Sequence, residues 1–255
     1  MGSPLTLTMA NCYMFFFEQN IIKQINNSGG LYVRYIDDIF ITVNWPERHL
    51  EQQIKRWDSF DININLKASY GKVSNFLDLY LENREGKLIT KVYHKPSYEP
   101  YYLPFNSIHP IHIKKNVPYA LALRAVRYCS SFELYIQERE AIVMSLLLNK
   151  YPLIIIEEQL KNMFQKFGSN QPIDSQHYNR LRETVINSQH VDVQPIDYNN
   201  NIFIHFTFCL GMRKFPKQFL TLWQKYFGLS PINDIKPILG TRNVNNLHRE
   251  LVSNR

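Results

Sequence analysis

Asp37 and Asp38 are adjacent carboxylates set between two β-rich runs, Leu31-Tyr32-Val33-Arg34-Tyr35-Ile36 before them and Ile39-Phe40-Ile41-Thr42-Val43 after them. That pattern reads as a hairpin with acids at its tip. Hard divalent cations such as Mg2+ or Mn2+ seek oxygen ligands of this kind and share their coordination with substrate phosphates. In nucleotidyl transfer two such ions activate the attacking hydroxyl and stabilise the leaving oxygen, and most of the barrier reduction is electrostatic and positional. An Asp-Asp pair also makes tight turns with no ligand at all, so the pair by itself leaves both readings open. Other groups offer less. His109 and His112 have no third ligand nearby, and Cys12, Cys129 and Cys209 are far apart and odd in number, so neither a zinc site nor a disulfide framework is indicated.

The elements that must position the pair are legible on both sides of it. Upstream, Leu5 to Ile25 places Met9, Cys12, Tyr13, Phe16 and Phe17 at helical spacing, and Asn26-Asn27-Ser28-Gly29-Gly30 ends the helix with turn formers. Downstream, Glu47 to Asp58 has the pattern of a surface helix, and Ile62-Asn63-Ile64-Asn65-Leu66 alternates as a half-buried strand does. Two more strands are expected over Phe76–Leu81 and Leu88–Tyr93, with Glu85-Gly86 as their turn. From Pro118, which suits a helix first turn, the chain becomes mainly helical through Phe132–Leu148 and Pro152–Phe167. The polar stretch Gly168–His177 reads as a linker or loop; Ile202–Phe208 is β-rich, Pro216–Phe227 helical and Asn243–Val252 a short amphipathic segment. The fold class expected from this order is α+β.

With 255 residues, 45% hydrophobic and 14% aromatic, the chain can bury one large core or two smaller ones. Its net charge of +7 favours a polyanionic partner, although many basic proteins merely carry solvated lysines. No apolar stretch is long enough to span a bilayer, since Glu18 interrupts the run through Phe15, Phe16 and Phe17, and the opening Met-Gly-Ser-Pro lacks the basic start of a secretory signal. An intracellular protein without a membrane partner is expected.

Tyr35-Ile36-Asp37-Asp38 resembles the Tyr-x-Asp-Asp box of reverse transcriptases, and the Gly2-Ser3-Pro4-Leu5 loop leading into a helix with Ala10-Asn11 resembles the polymerase motif that precedes it. Asn75–Leu79, Val92–Ser97, Tyr102-Leu103, Asn106–Pro110 and the run from Pro118 to Arg127 are similar to the palm end and thumb of Penelope-like retroelements, relatives of telomerase reverse transcriptase. The last stretch, with Pro231 and the Asn245-Asn246-Leu247 to Leu251-Val252 pattern, resembles the segment before the GIY-YIG endonuclease of complete elements.

The resemblance implies the C-terminal part of a palm over residues 1–100, a helical thumb over 101–170 and a C-terminal region over 171–255, with no endonuclease following. It implies that Asp37 and Asp38 are catalytic metal ligands and that Gly2, Ser3 and Tyr35 lie beside the nucleotide or template. Gly2-Ser3-Pro4 also fits an ordinary capped helix start. Lys95, Arg124 and Arg127 become candidate phosphate contacts, Arg124 and Arg127 sharing a helix face, with a solvated basic face as the plainer reading. Tyr93, Tyr101 and Tyr102 either stack on bases or pack, and Asp78 fixes a turn rather than binding metal.

Partners implied are an RNA template, a DNA primer and deoxynucleotides, in the nucleus. The earlier palm carboxylate and the fingers are expected on chain preceding Met1, so the protein is read as a polymerase fragment, inactive alone. That reading brings exposed apolar surface and either a missing polymerase half or self-association. The competing readings are a non-catalytic nucleic-acid-binding protein of retroelement origin and a decayed reading frame.

Overall fold

A computed structural model describes residues 4–168, 174–188, 200–229 and 234–242. They are mixed α and β, and the chain divides into two compact units, Met1–Pro96 and Ser97–Arg255.

In the first unit, helix α1 (Pro4–Asn27) buries Phe17, Ile21 and Ile25, four residues apart, against Trp57 of α2 (Glu47–Asp58). This stripe is displaced from the one the sequence suggested. Met9, Tyr13 and Phe16 are 64%, 47% and 74% exposed and Cys12 is exposed, because the apolar cluster shared with the strands and α2 takes in the helix only from Met14 onward. The helix ends at Gly29, whose φ of +71° is the left-handed conformation that closes a helix, and the Gly30 amide donates to the Ile25 carbonyl at 3.0 Å. A Cβ on Gly30 would stand 2.3 Å from the Thr42 carbonyl oxygen, so only glycine fits where helix passes into strand.

Strands β1 (Leu31–Tyr35) and β2 (Asp38–Thr42) form the expected antiparallel hairpin, closed by Tyr35 opposite Asp38. The strand expected over Ile62–Leu66 does not form. Its backbone donors go to side chains instead: Asn63 N–H to Asp61 Oδ1 at 2.8 Å and Leu66 N–H to Asp58 Oδ1 at 2.6 Å. Ile64 and Leu66 still pack on the Trp57 cluster, whereas Ile62 is fully exposed.

Strands β3 (Val73–Phe76), β4 (Leu79–Arg84) and β5 (Lys87–Val92) make an antiparallel sheet in sequence order. The continuous run read over Phe76–Leu81 is broken by a two-residue turn at Leu77-Asp78, with Leu77 at φ +55°. Glu85-Gly86, with φ +52° and +85°, makes the turn expected there.

The second unit is built on α3 (Ile111–Tyr128), which packs against α4 (Phe132–Leu148), α5 (Leu153–Lys166) and α6 (Ser175–Asn187). Pro118 lies inside α3 rather than in its first turn. Its ring is fully buried, and that burial compensates the helical hydrogen bond its missing N–H cannot give. The stretch read as a loop to His177 ends earlier, since Asp174 caps α6 by accepting the amides of Gln176 and His177 at 3.0 and 2.8 Å. Tyr178, Leu181 and Val185 of α6 are buried, so the helical packing runs past residue 170. Beyond it, β6 (Asn201–Thr207) and β7 (Lys236–Arg242) pair in parallel across α7 (Phe215–Phe227). The amphipathic segment read over Asn243–Val252 lies outside the described residues, and so do Pro231, Gly2 and Ser3. Among the described residues no helix is long and apolar enough to cross a membrane.

Candidate catalytic hairpin and basic face

The turn that joins β1 to β2 consists of Ile36 and Asp37, with Asp38 as the first residue of β2. Ile36 has φ +57°. A β-branched residue is rarely found there, because its side chain crowds the backbone, and the conformation costs on the order of 1–3 kcal/mol. The strain has a geometric result: a two-residue turn sets two carboxylates at neighbouring positions on the hairpin tip. Asp37 and Asp38 are both exposed, and among the described residues neither is ion-paired with a lysine or arginine. Tyr35, 57% exposed, is the cross-strand partner of Asp38 and so shares its face.

The opposite face of β1 turns Tyr32 and Arg34 toward α1, as the period of two requires. Both reach Glu18, which is 6% exposed. Arg34 Nε donates to Glu18 Oε2 at 2.6 Å, Arg34 Nη2 to Oε1 at 3.3 Å, and the Tyr32 hydroxyl to Oε2 at 2.8 Å. Burial, and then the hydrogen bond to Glu18, hold the Tyr32 hydroxyl far above its ordinary pKa, so it stays a donor. The remaining Arg34 terminus, Nη1, donates to Asn11 Oδ1 at 3.0 Å and to the Ile36 carbonyl at 2.7 Å. Sequence reasoning did not single out Glu18 or Arg34 as site residues. The signal was an acid interrupting the apolar run of α1, with Tyr32 and Arg34 two apart on a strand whose inner face must be covered.

The donor set suits a hard cation: two exposed, unpaired carboxylates supply oxygen ligands and leave positions for water and phosphate. Among the described residues no third His, Cys, Asp or Glu joins them in a metal-holding group. His109 instead lies 3.3 Å from the Ser107 hydroxyl, and His112 is exposed at the start of α3. Asp78 occupies its turn and accepts the Tyr93 amide on its carbonyl at 2.8 Å.

The expected phosphate contacts divide between the units. Lys95 is exposed just after β5. Arg124 and Arg127 lie half-buried on α3, the Arg124 guanidinium 5.9 Å from the Tyr128 ring centre. Arg182 of α6, not anticipated from sequence, adds to this face: its Nη2 donates to the Arg127 carbonyl at 3.2 Å, capping the last turn of α3. The Nε atoms of Arg127 and Arg182 are buried with no hydrogen-bond partner, and neither residue is ion-paired among the described residues. A half-buried guanidinium on each of two packed helices, neither ion-paired among the described residues, favours anions locally. Of the tyrosines, Tyr101 is 83% exposed, whereas Tyr102 is half-buried, its amide bonded to Asn149 Oδ1 at 3.2 Å and its hydroxyl raised in pKa by burial.

Residues 101–161 match a family model described as the animal helix-turn-helix domain, a span that takes in α3, α4 and the first part of α5. No curated protein and no solved structure matches the chain.

Proposed function

We propose that this chain is part of an RNA-directed DNA polymerase of the Penelope-like, telomerase-related kind, with the first unit contributing the rear of its palm. Asp37 and Asp38 serve as metal ligands at the primer end. The observation that carries the reading is the strained two-residue turn at Ile36-Asp37, which holds two exposed carboxylates, not ion-paired among the described residues, side by side on a β-hairpin. Mg2+ or Mn2+ bound there supplies electrophilic stabilisation of phosphate oxygens. The chain's own part is to hold the carboxylates at the tip, to present Tyr35 on the same face, and to keep the hairpin seated on α1. A further carboxylate, from outside the described residues, belongs to the proposal, because two acids alone leave a two-metal site incomplete.

The test couples metal to nucleic acid. Affinity of the chain for an RNA template annealed to a DNA primer is expected to rise about tenfold with Mn2+, and the Asp37→Asn, Asp38→Asn double variant should lose that gain while keeping its metal-free affinity. Equal metal dependence in parent and variant would sink the assignment of the pair.

A second reading, a non-catalytic nucleic-acid-binding protein, is favoured by the helix-turn-helix match. In that motif the second helix enters the major groove. Here the corresponding α4 carries Glu133, Glu138 and Glu140, and its Arg139 is paired with Glu157 at 2.9 Å, a poor complement to a phosphate-lined groove. The Arg127 and Arg182 face suits backbone contact better. Arg127→Gln and Arg182→Gln are each expected to weaken binding evenly across sequences and to reduce the log–log salt slope by about one. An unchanged slope in both would remove this face from the interface.

A further inference from the structure

We infer that Arg34 is a positioning residue for the Asp37 and Asp38 pair, acting through the turn between them; the inference rests on the metal-ligand reading of that pair. Ile36 is held at φ +57°, where an isolated chain with this side chain would not stay. Such a conformation persists only if its surroundings over-determine it. Backbone pairing of Tyr35 with Asp38 closes the turn but leaves the direction of the Ile36 peptide to be set.

Arg34 sets it. Its Nη1 donates to the Ile36 carbonyl at 2.7 Å, so the peptide that leads into Asp37 is fixed from below. Arg34 cannot swing away, because its Nε and Nη2 are engaged by both oxygens of buried Glu18 at 2.6 and 3.3 Å. Glu18 in turn accepts from Tyr32, and Asn11 takes a share of Nη1 at 3.0 Å. Three points on the planar guanidinium are therefore tied to α1 and one of them to the turn, an arrangement that a fork-shaped cation supports and an ammonium does not. Helix α1 and the hairpin tip are thereby joined by side chains sixteen residues apart in sequence. Groups that orient metal-binding side chains without touching the metal typically carry 10- to 100-fold of its affinity, an effect of about that size.

Arg34→Lys separates positioning from packing. Lysine keeps a cation for Glu18 but cannot serve Glu18, Asn11 and the Ile36 carbonyl together. The full chain is expected to melt near the parent's midpoint. In the metal-free protein its Asp37–Phe40 amides should exchange about tenfold faster while those of Ile21 and Ile25 stay protected, and Mn2+ affinity should fall about tenfold. Glu18→Gln, which loosens the anchor without touching the strand, should shift the same two readouts in the same direction and stands in if Arg34→Lys does not fold. Hairpin exchange and Mn2+ affinity that match the parent in a folded variant overturn the inference. Faster hairpin exchange in the variant, beside a parent that binds no Mn2+ at the tip, keeps the brace and rejects the metal reading on which its function rests.

Discussion

Replacing Trp57 with alanine is expected to destabilise the first unit by about 3–5 kcal/mol, the usual cost of emptying a large aromatic site in a core. Trp57 is 3% exposed and closes the cluster made by Phe17, Ile21 and Ile25 of α1. Its ring centre lies 6.2 Å from that of Trp45, and its Nε1 donates to Gln24 Oε1 at 3.1 Å, so the truncation also leaves the Gln24 amide short of a partner. Small domains have about 5–15 kcal/mol in total, so a loss of this size leaves the unit near its unfolding threshold. The measurement is urea unfolding followed by amide exchange at Ile21, Ile25 and Ile41, with Ile62→Ala as a control. Ile62 is fully exposed, and its removal should change stability by no more than about 0.5 kcal/mol. A Trp57→Ala chain with the parent's midpoint would show that α1, the hairpin and α2 do not share one core.

Arg34→Met should be as damaging, for a different reason. It strands the Glu18 carboxylate at 6% exposure with Tyr32 as its remaining hydrogen-bond donor. Breaking a buried pair from one side typically costs about 3–5 kcal/mol, because the surviving charge has lost both water and partner. Removing both charges is another matter. The Glu18→Leu, Arg34→Met double variant is expected to recover most of the loss, since apolar groups of similar volume often replace a buried ion pair at little cost. A double-mutant cycle read by thermal melting decides it: single variants as stable as the double one would mean that the pair is solvated in solution. The contrast with Arg34→Lys matters here, because lysine preserves the charge and disturbs the turn, whereas methionine removes the charge and disturbs the core.

Much of the first unit was legible in the sequence because its signals are local. Two β-rich runs flanking Asp37-Asp38 specify a hairpin, Glu85-Gly86 a second one, and Glu47–Asp58 a helix. What failed was competition between local pattern and side-chain hydrogen bonding. Ile62–Leu66 alternates as a strand does, yet Asp58 and Asp61 take its amides. Leu77 reads as strand interior but turns the chain at φ +55°, which no propensity scale would assign to leucine. Helix α6 is masked in the sequence by the polar stretch before it, which has the composition of a loop, although Asp174 and the Tyr178, Leu181, Val185 spacing mark its start and inner face.

The candidate site divides in the same way. Its carboxylates could be found from residue type and spacing. Their support could not, since Glu18 and Arg34 meet only when α1 is laid against β1, and the sequence does not state which face of α1 points there. Arg182 was equally hidden: its place beside Arg127 depends on how α6 packs against α3.

The most direct measurement replaces Mg2+ with Fe2+ in a complex of the chain with an RNA template and DNA primer, and maps the cuts that hydroxyl radicals make in the bound strands. Carboxylates that hold the metal at the primer end should give cuts clustered at the primer 3′ terminus, absent from the Asp37→Asn, Asp38→Asn variant at equal hybrid occupancy. Cuts spread evenly along the hybrid, or the same pattern in both proteins, would contradict the assignment of Asp37 and Asp38 as polymerase metal ligands.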